Sequence, residues 1–180
     1  MPSEPLLSVV HRQFLATART ATLATIAPGG RPRLVPICFA VSEDSAGNLA
    51  IHSPLDDKPK QGADRRALAR VRDLLARPEA TLLVDRWSED WNVLAWLRLD
   101  VVGELIEPER PTLEEHVAAV AALRARYPQY ATHRLEERPM LRFTVERVVS
   151  WGDLRDPGTA PRRAVGGSAW SSLPRGTPRR

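Results

Sequence analysis

Two strand-like runs meet across a four-residue turn near the start of the chain, and no other feature constrains the fold as much. Residues 20–26, Thr-Ala-Thr-Leu-Ala-Thr-Ile, are rich in β-branched side chains. Ala27-Pro-Gly-Gly30 is a dense turn signal. Residues 33–41, Arg-Leu-Val-Pro-Ile-Cys-Phe-Ala-Val, follow as a near-continuous apolar strand. Strands joined this closely pair antiparallel, as a hairpin. Pro36 inside the second run cannot donate to a ladder, which puts it on an edge or at a bulge. Bulges of that kind are frequent next to ligand sites.

The rest of the chain extends this pattern. A helix is predicted over residues 5–18, with Leu7, Val10 and Phe14 on one face. Residues 49–52 form a third strand. Asp64 caps a helix running to Ala76, which Pro78 stops. Residues 80–85 are a fourth strand and 93–107 a long fifth, bending near Gly103. Thr112-Leu-Glu-Glu115 is a capping box that opens a helix to about Tyr127, with Val117, Val120, Leu123 and Tyr127 on its face. Residues 140–151 close the domain, with Leu141, Phe143 and Val145 alternating against polar neighbours. The first three strands follow one another with no helix between them, which excludes a doubly wound parallel sheet. The expected class is mainly β (α+β): a six-stranded antiparallel barrel with peripheral helices.

A chain of 180 residues, 43% of them apolar, can bury one real core. Residues 1–152 are expected to be that domain. In residues 153–180 Pro, Gly, Ser and Arg dominate, which predicts a mobile tail whose Trp170 and Leu173 could dock on the body or on a partner. The net charge of +4 lies in this tail, which holds six Arg and two Asp, leaving 20 basic and 20 acidic side chains in the body. A neutral body is a poor nucleic-acid surface. The single cysteine, Cys38, allows no disulfide and is expected to be a small buried side chain. No run approaches the roughly 18 apolar residues of a membrane helix. The first residues, Met-Pro-Ser-Glu, do not open a secretory signal, so a cytoplasmic location is expected.

No dinucleotide-binding, Walker A, nucleophile-elbow or zincin motif is present. The histidines, His11, His52, His116 and His133, do not pair at metal-ligand spacing, so no metal site is expected. His11 and His116 lie on predicted helices and are expected solvated or half-buried, whereas His52 ends a strand beside a basic segment and is a ligand candidate. Glu114-Glu115 and Glu136-Glu137 read as solvated faces. The chemistry that is visible is anion binding. Arginine supplies 24 of the 26 basic side chains, and both lysines, Lys58 and Lys60, sit in one short segment. A flexible ammonium suits a phosphate or polyanionic tail where a rigid guanidinium fork does not. Arg65, Arg66 and Arg70 follow at the start of the helix, whose free N–H groups add to the pull on an anion. Asp56-Asp57 either orient the lysines or are turn residues around Pro54 and Pro59. Trp87 and Trp91 flank a polar loop and read as exposed aromatics for a ligand or dimer contact, whereas Trp96, in an alternating strand, reads as core.

Taken in order, these stretches resemble the pyridoxamine 5'-phosphate oxidase-like, FMN-binding split β-barrel family. The matching pieces are Ala21-Thr-Leu-Ala-Thr-Ile26, Gly30-Arg-Pro-Arg-Leu-Val-Pro-Ile-Cys-Phe39, Ile51-His-Ser-Pro54 with Lys58-Pro-Lys60, residues 74–84, and Trp96-Leu-Arg-Leu-Asp100 with Gly103. The residues between Lys60 and Arg70 and the loop over 85–92 look most like the branch that uses coenzyme F420, an 8-hydroxy-5-deazaflavin with a phospholactyl-polyglutamate tail. The resemblance implies a homodimer with two cofactor sites at its interface and hydride transfer to a small-molecule substrate. It implies that Lys58 and Lys60 hold the phosphate or tail, with Arg70 as a further tail contact. It also implies that Val35, Pro36 and Ile37 present backbone to the ring, with Ile51, His52 and Ser53 beside it. The phosphate-oxidase branch typically carries an Arg-Gln-Val-Arg-like strand where this chain has Trp96-Leu-Arg-Leu-Asp100, which puts pyridoxamine chemistry in doubt. The same barrel accommodates two other functions: an FMN flavoprotein, or a non-enzymatic carrier of coenzyme F420 or haem, for which His52 is the one hint.

Overall fold

The computed structural model describes residues 6–43, 49–56 and 64–157. The elements are α1 (Val9–Thr17), β1 (Ala21–Ile26), β2 (Pro32–Ile37), β3 (Ala40–Glu43), β4 (Leu49–Pro54), α2 (Ala69–Ala76), β5 (Glu79–Arg86), β6 (Ala95–Ile106), α3 (Leu113–Arg126) and β7 (Met140–Gly152). Short 3-10 turns precede α2 and β6 and follow α3. Every strand pairing is antiparallel.

The sheet has seven strands, not the six expected, because the run over 33–41 is two strands. They lie at opposite edges of the order β2-β1-β5-β6-β7-β4-β3, although only Cys38 and Phe39 separate them in the chain. In a flat sheet of seven strands at ~4.8 Å spacing the edges would stand roughly 29 Å apart. Three Cα steps span at most about 11 Å. The sheet must therefore curl until its edges meet, which makes it a barrel. Pro36 sits on the edge strand β2, opposite Thr22, where its missing N–H costs no sheet bond.

Alternation along the strands turns Leu23, Leu82, Val84, Leu97, Leu99 and Phe143 into the barrel. Val71 and Leu74 of α2 enter the same core. A second cluster forms beneath α3, from Val120, Leu123, Tyr127, Tyr130, Ile106 and Met140. Tyr127 joins this cluster to the barrel's closing point. Its hydroxyl accepts from the Phe39 amide at 3.1 Å and lies 2.9 Å from the carbonyls of both Phe39 and Arg19.

Several local expectations change. The helix expected from Asp64 is broken at Leu68, whose extended backbone separates the 3-10 turn Arg65–Ala67 from α2. Thr112 does not cap α3 with its side chain. Its hydroxyl donates instead to the carbonyls of Glu107 and Glu109, so the capping box is not formed. Val117 points to solvent, off the buried face of α3. Trp96 is not core: it alternates to the outer face of β6, half-exposed, opposite Trp151. Cys38 is half-buried in the link between β2 and β3. The irregularity of β6 falls at Asp100/Val101, not at Gly103. Gly103 marks a close approach, since a Cβ there would meet Leu74 Cδ2 at 2.9 Å. Leu154 packs into the barrel core beyond the last strand, and residues 158–180 of the expected tail lie outside the described residues. Among the described residues no helix is long and apolar enough to cross a membrane.

Gly152 ends β7 with φ +82, and a Cβ there would run into the Leu94 carbonyl and the Ala95 Cα. Gly152→Ala combines a left-handed backbone with a clash against main chain. It should cost about 2 kcal/mol or more in urea unfolding. A loss below about 0.5 kcal/mol would mean that the β6–β7 end is looser than described.

Candidate functional site

The expected site residues among the described ones fall on three pieces of chain: the edge strand β2, the strand β4, and the start of α2. Val35 and Ile37 turn toward the barrel interior, while Pro36 is exposed on the other face of β2. Only β1 pairs with β2, so the outward backbone groups of β2 have no sheet partner among the described residues. Ile51 and Ser53 are buried on β4. Lys58 and Lys60 lie outside the described residues, between Asp56 and Asp64.

Asp73 ties the hairpin to α2. It is buried, its Oδ2 accepting from Thr25 Oγ1 at 2.9 Å and from Arg33 Nε at 2.7 Å. The hairpin that the family resemblance places against a ring is thus locked to the helix that begins the basic segment's far side. Nothing in the sequence pattern signalled Asp73, because its partners are 48 and 40 residues away.

The arginines of this region divide by what they hold. Arg66 forks onto Glu107 at 2.9 and 2.7 Å, so a structural pair occupies it. Arg65 and Arg70 behave otherwise: Arg65 Nε and Nη1 and Arg70 Nε are buried, with no hydrogen-bond partner among the described residues. Burial pushes the Arg70 guanidinium down from its ordinary pKa, and neighbouring Asp56 and Tyr130 oppose that. A buried guanidinium with an unmet N–H is costly, which makes it a natural receptor for an anion. Asp56 is buried and accepts from the Tyr130 hydroxyl at 3.2 Å. Burial raises the Tyr130 pKa, and contacts with Cys38 and Asp56 raise it further, so the phenol keeps its proton. Cys38, Asp56, Arg70 and Tyr130 therefore form one polar cluster at the chain's entry to the 57–63 segment.

His52 has a different setting. Its side chain is 0% exposed and its Nε2 lies 2.9 Å from Glu115 Oε1. Glu115 Oε2 accepts from Arg142 Nη1 at 2.8 Å, and Arg142 Nε donates to Glu104 at 2.7 Å. This chain of contacts seams β4, α3, β7 and β6 together. Glu115, expected on a solvated face, is its centre. His116, expected solvated or half-buried, is buried, with Nε2 at 2.7 Å from the Arg138 carbonyl. His11 completes a capping box with Ser8, and His133 stacks edge-on to Tyr130. Among the described residues no cluster of His, Cys, Asp or Glu could hold a metal ion.

A family model described as pyridoxamine 5'-phosphate oxidase matches residues 8–152. Among solved structures, a conserved hypothetical protein of Mycobacterium tuberculosis is 23% identical, with 93% of this chain and 98% of that one covered at a TM-score of 0.61. An FAD-binding protein of Mesorhizobium loti is 18% identical over 80% of this chain and 92% of that one, at a TM-score of 0.54. The haem storage protein of Vibrio cholerae is 15% identical over 83% and 95%, also at 0.54. At these identities the likeness is one of fold. No curated protein matches the chain.

The His52 seam makes a pH prediction. Burial lowers the His52 pKa, and Glu115 only partly offsets it. A histidine depressed in the folded state binds its proton more readily when unfolded. Stability should therefore hold above the unfolded value near 6.5 and fall as the pH drops below it, by at most about 1.4 kcal/mol per pH unit for one proton. Glu115→Ala should cost about 1–3 kcal/mol at neutral pH, because it leaves the buried His52 Nε2 without its carboxylate and takes one of the two carboxylates from Arg142. Urea unfolding from pH 5 to pH 8 tests both. A flat profile and a neutral Glu115→Ala would show that the seam carries no stability.

Proposed function

The chain belongs to the pyridoxamine 5'-phosphate oxidase family, and from that membership we propose that it is an oxidoreductase using coenzyme F420 to move a hydride to or from a small organic substrate. One observation carries the proposal more than any other. Arg65 Nε and Nη1 and Arg70 Nε are buried with no hydrogen-bond partner among the described residues, on the far side of the segment that holds the chain's two lysines. An anionic, phosphate-bearing tail satisfies such a set, with Lys58 and Lys60 as point charges and Arg70 as the deeper fork.

The residues present fit the rest of the coenzyme. The free edge of β2 offers the Pro36 carbonyl to a ring edge, with Val35 and Ile37 on either side of it. Ile51 and Ser53, both buried on β4, are proposed to stand beside the ring. When bound, the coenzyme supplies the hydride exchange at C5, and the chain binds, orients and shields it. That division of labour suits a site without nucleophile or metal motifs. A haem carrier fits less well, because each of the four histidines already holds a protein partner. Trp96, Arg98 and Asp100 point to the outer face of β6, whereas Leu97 and Leu99 of the same strand line the barrel.

A homodimer is part of the proposal. The face of the sheet carrying Leu34, which is 64% exposed, and Leu83 is apolar and uncovered in one chain. Leu34 pairs with Ala24, and Thr22 with Leu83, so these side chains form one patch across β2, β1 and β5. A second copy laid there would bring a matching wall to the β2 edge.

Titration of the purified protein with coenzyme F420 and, in parallel, FMN, followed by intrinsic tryptophan fluorescence, should show tighter binding of the deazaflavin. Lys58→Ala with Lys60→Ala should weaken it by roughly 2–4 kcal/mol, about 30- to 900-fold in Kd. Arg70→Ala should weaken it about tenfold or more. Preference for FMN would move the protein to the flavin branch, and unchanged affinity in the lysine double variant would remove the anion assignment. Sedimentation should give a dimer that Leu34→Arg with Leu83→Arg dissociates, and a monomeric wild-type protein would refute the dimer.

A further inference from the structure

Three large aromatic side chains stand in water at one end of the sheet, and neither the barrel nor the proposed cofactor site uses them. Trp87 is 71% exposed, Trp91 76% and Trp151 54%. The strand register gathers them. Asp85 of β5, Trp96 of β6 and Trp151 of β7 are successive cross-strand partners, so they share a face. Trp87 leaves the end of β5 two residues after Asp85, and Trp91 opens the turn Trp91–Val93 that feeds β6. Grouped, exposed indoles are a docking surface far more often than an accident of solvation.

The electrostatics of this end select the occupant. The loop contributes Asp85, Glu89 and Asp90. Its one cation, Arg86, is turned inward: Nε donates to the Val93 carbonyl at 2.8 Å, Nη1 to the Arg155 carbonyl at 3.0 Å, and Nη2 to the Asp153 carbonyl. The surface is therefore aromatic and acidic. The same three bonds pin residues 153–155 against the loop, Leu154 plugs into the core, and the chain leaves this end of the sheet after Pro157.

The residues that follow carry the complementary chemistry. Residues 158–180 contain five Arg (162, 163, 175, 179 and 180), no Asp or Glu, and the apolar pair Trp170 and Leu173. Thirteen residues from Pro157 to Trp170 can span up to about 43 Å, so reach is no obstacle. Guanidiniums pair with carboxylates and stack on indole faces, and indoles stack on each other. A tethered segment also works at an effective concentration in the millimolar range, so modest contacts suffice. A groove of about 520 Å³ between α1, β3 and α3 is bordered by Arg12 and Arg126 and would repel a basic segment.

We propose that residues 158–180 fold back over their own chain's Trp87–Trp91 loop, setting Trp170 against the exposed indoles and Arg162 and Arg163 against the loop carboxylates. Hydrogen exchange of peptides covering residues 85–94 and 149–153 tests this in the full chain, in a chain ending at Pro157, and in full-length Trp170→Ala. Exchange in both regions should be about tenfold or more slower in the full chain than in the shortened one. That protection should be independent of protein concentration, weakened by 0.5 M salt as a charge-paired contact must be, and reduced in Trp170→Ala. Circular dichroism establishes that the shortened chain is folded. If it is not, Trp170→Ala alone decides. Equal exchange in all three proteins would overturn the proposal. So would protection that survives shortening and grows with concentration, which would assign the surface to a second copy.

Discussion

The barrel is held shut at two residues. Cys38 and Phe39 carry the chain from one edge of a seven-stranded sheet to the other, and they can do so only if the edges touch. Tyr127 enforces that closure from outside the sheet. Its phenol takes the Phe39 amide as donor and gives its own proton to the carbonyl of Phe39 or Arg19. The link would otherwise bury backbone groups without partners, at a cost of about 1–3 kcal/mol for each unmet group. The preceding residue, Arg126, clamps the end of α1 through the carbonyls of Leu15, Ala16 and Ala18. The end of α3 thus fixes both the first helix and the point at which the sheet turns on itself. The same closure fixes where the β2 edge lies, so the candidate site depends on it.

Around this closure, buried polar contacts set the relative positions of elements that apolar packing alone would let slide. Asp73 pins α2 to the hairpin through Thr25 and Arg33. Glu115 pins α3 to β4 and β7 through His52 and Arg142. In both cases one carboxylate spends its two or more acceptor sites on partners from different elements, leaving little freedom of register. Such ties contribute modestly to net stability, since desolvation offsets much of the attraction, but losing one partner strands the other. They act as positioning devices, and the two of them flank the cofactor site proposed above.

Much of the fold was legible in the sequence because it was written in local codes. The hairpin was visible in its β-branched runs and the Pro-Gly-Gly turn, and the alternating positions of the last strand, Leu141, Phe143 and Val145, are all buried as the period of two requires. What was illegible came from long-range competition. The division of residues 33–41 into two strands follows from closure, which no local pattern records. Thr112 had the capping-box spacing, but the carbonyls of Glu107 and Glu109 took its hydroxyl first. Trp96 obeyed the alternation expected of a half-buried strand but fell on its outer phase, because Ala95 and Leu97 are the neighbours that face inward. At the candidate site, the edge proline and the basic run near α2 could be read directly. Asp73, Glu115 and the Asp56–Tyr130 contact could not, because each joins residues far apart in the chain.

The uneven use of the two basic residues has a structural explanation that sharpens the proposed site. Several of the described arginines act as forks. Arg126 holds three main-chain carbonyls, Arg86 holds three more, and Arg124 bridges the carbonyls of Tyr130 and His133 and the Glu136 carboxylate. Arg142 bridges two carboxylates. A planar guanidinium with five donors can serve several acceptors at fixed angles, and an ammonium on a flexible stem cannot do the same. A chain that builds its architecture this way has a reason to write nearly every cation as Arg. Lysine then survives only where a fork is the wrong tool. The single segment where it does survive lies between Asp56 and Asp64, just before Arg65 and Arg70, each of which keeps a buried donor without a hydrogen-bond partner among the described residues.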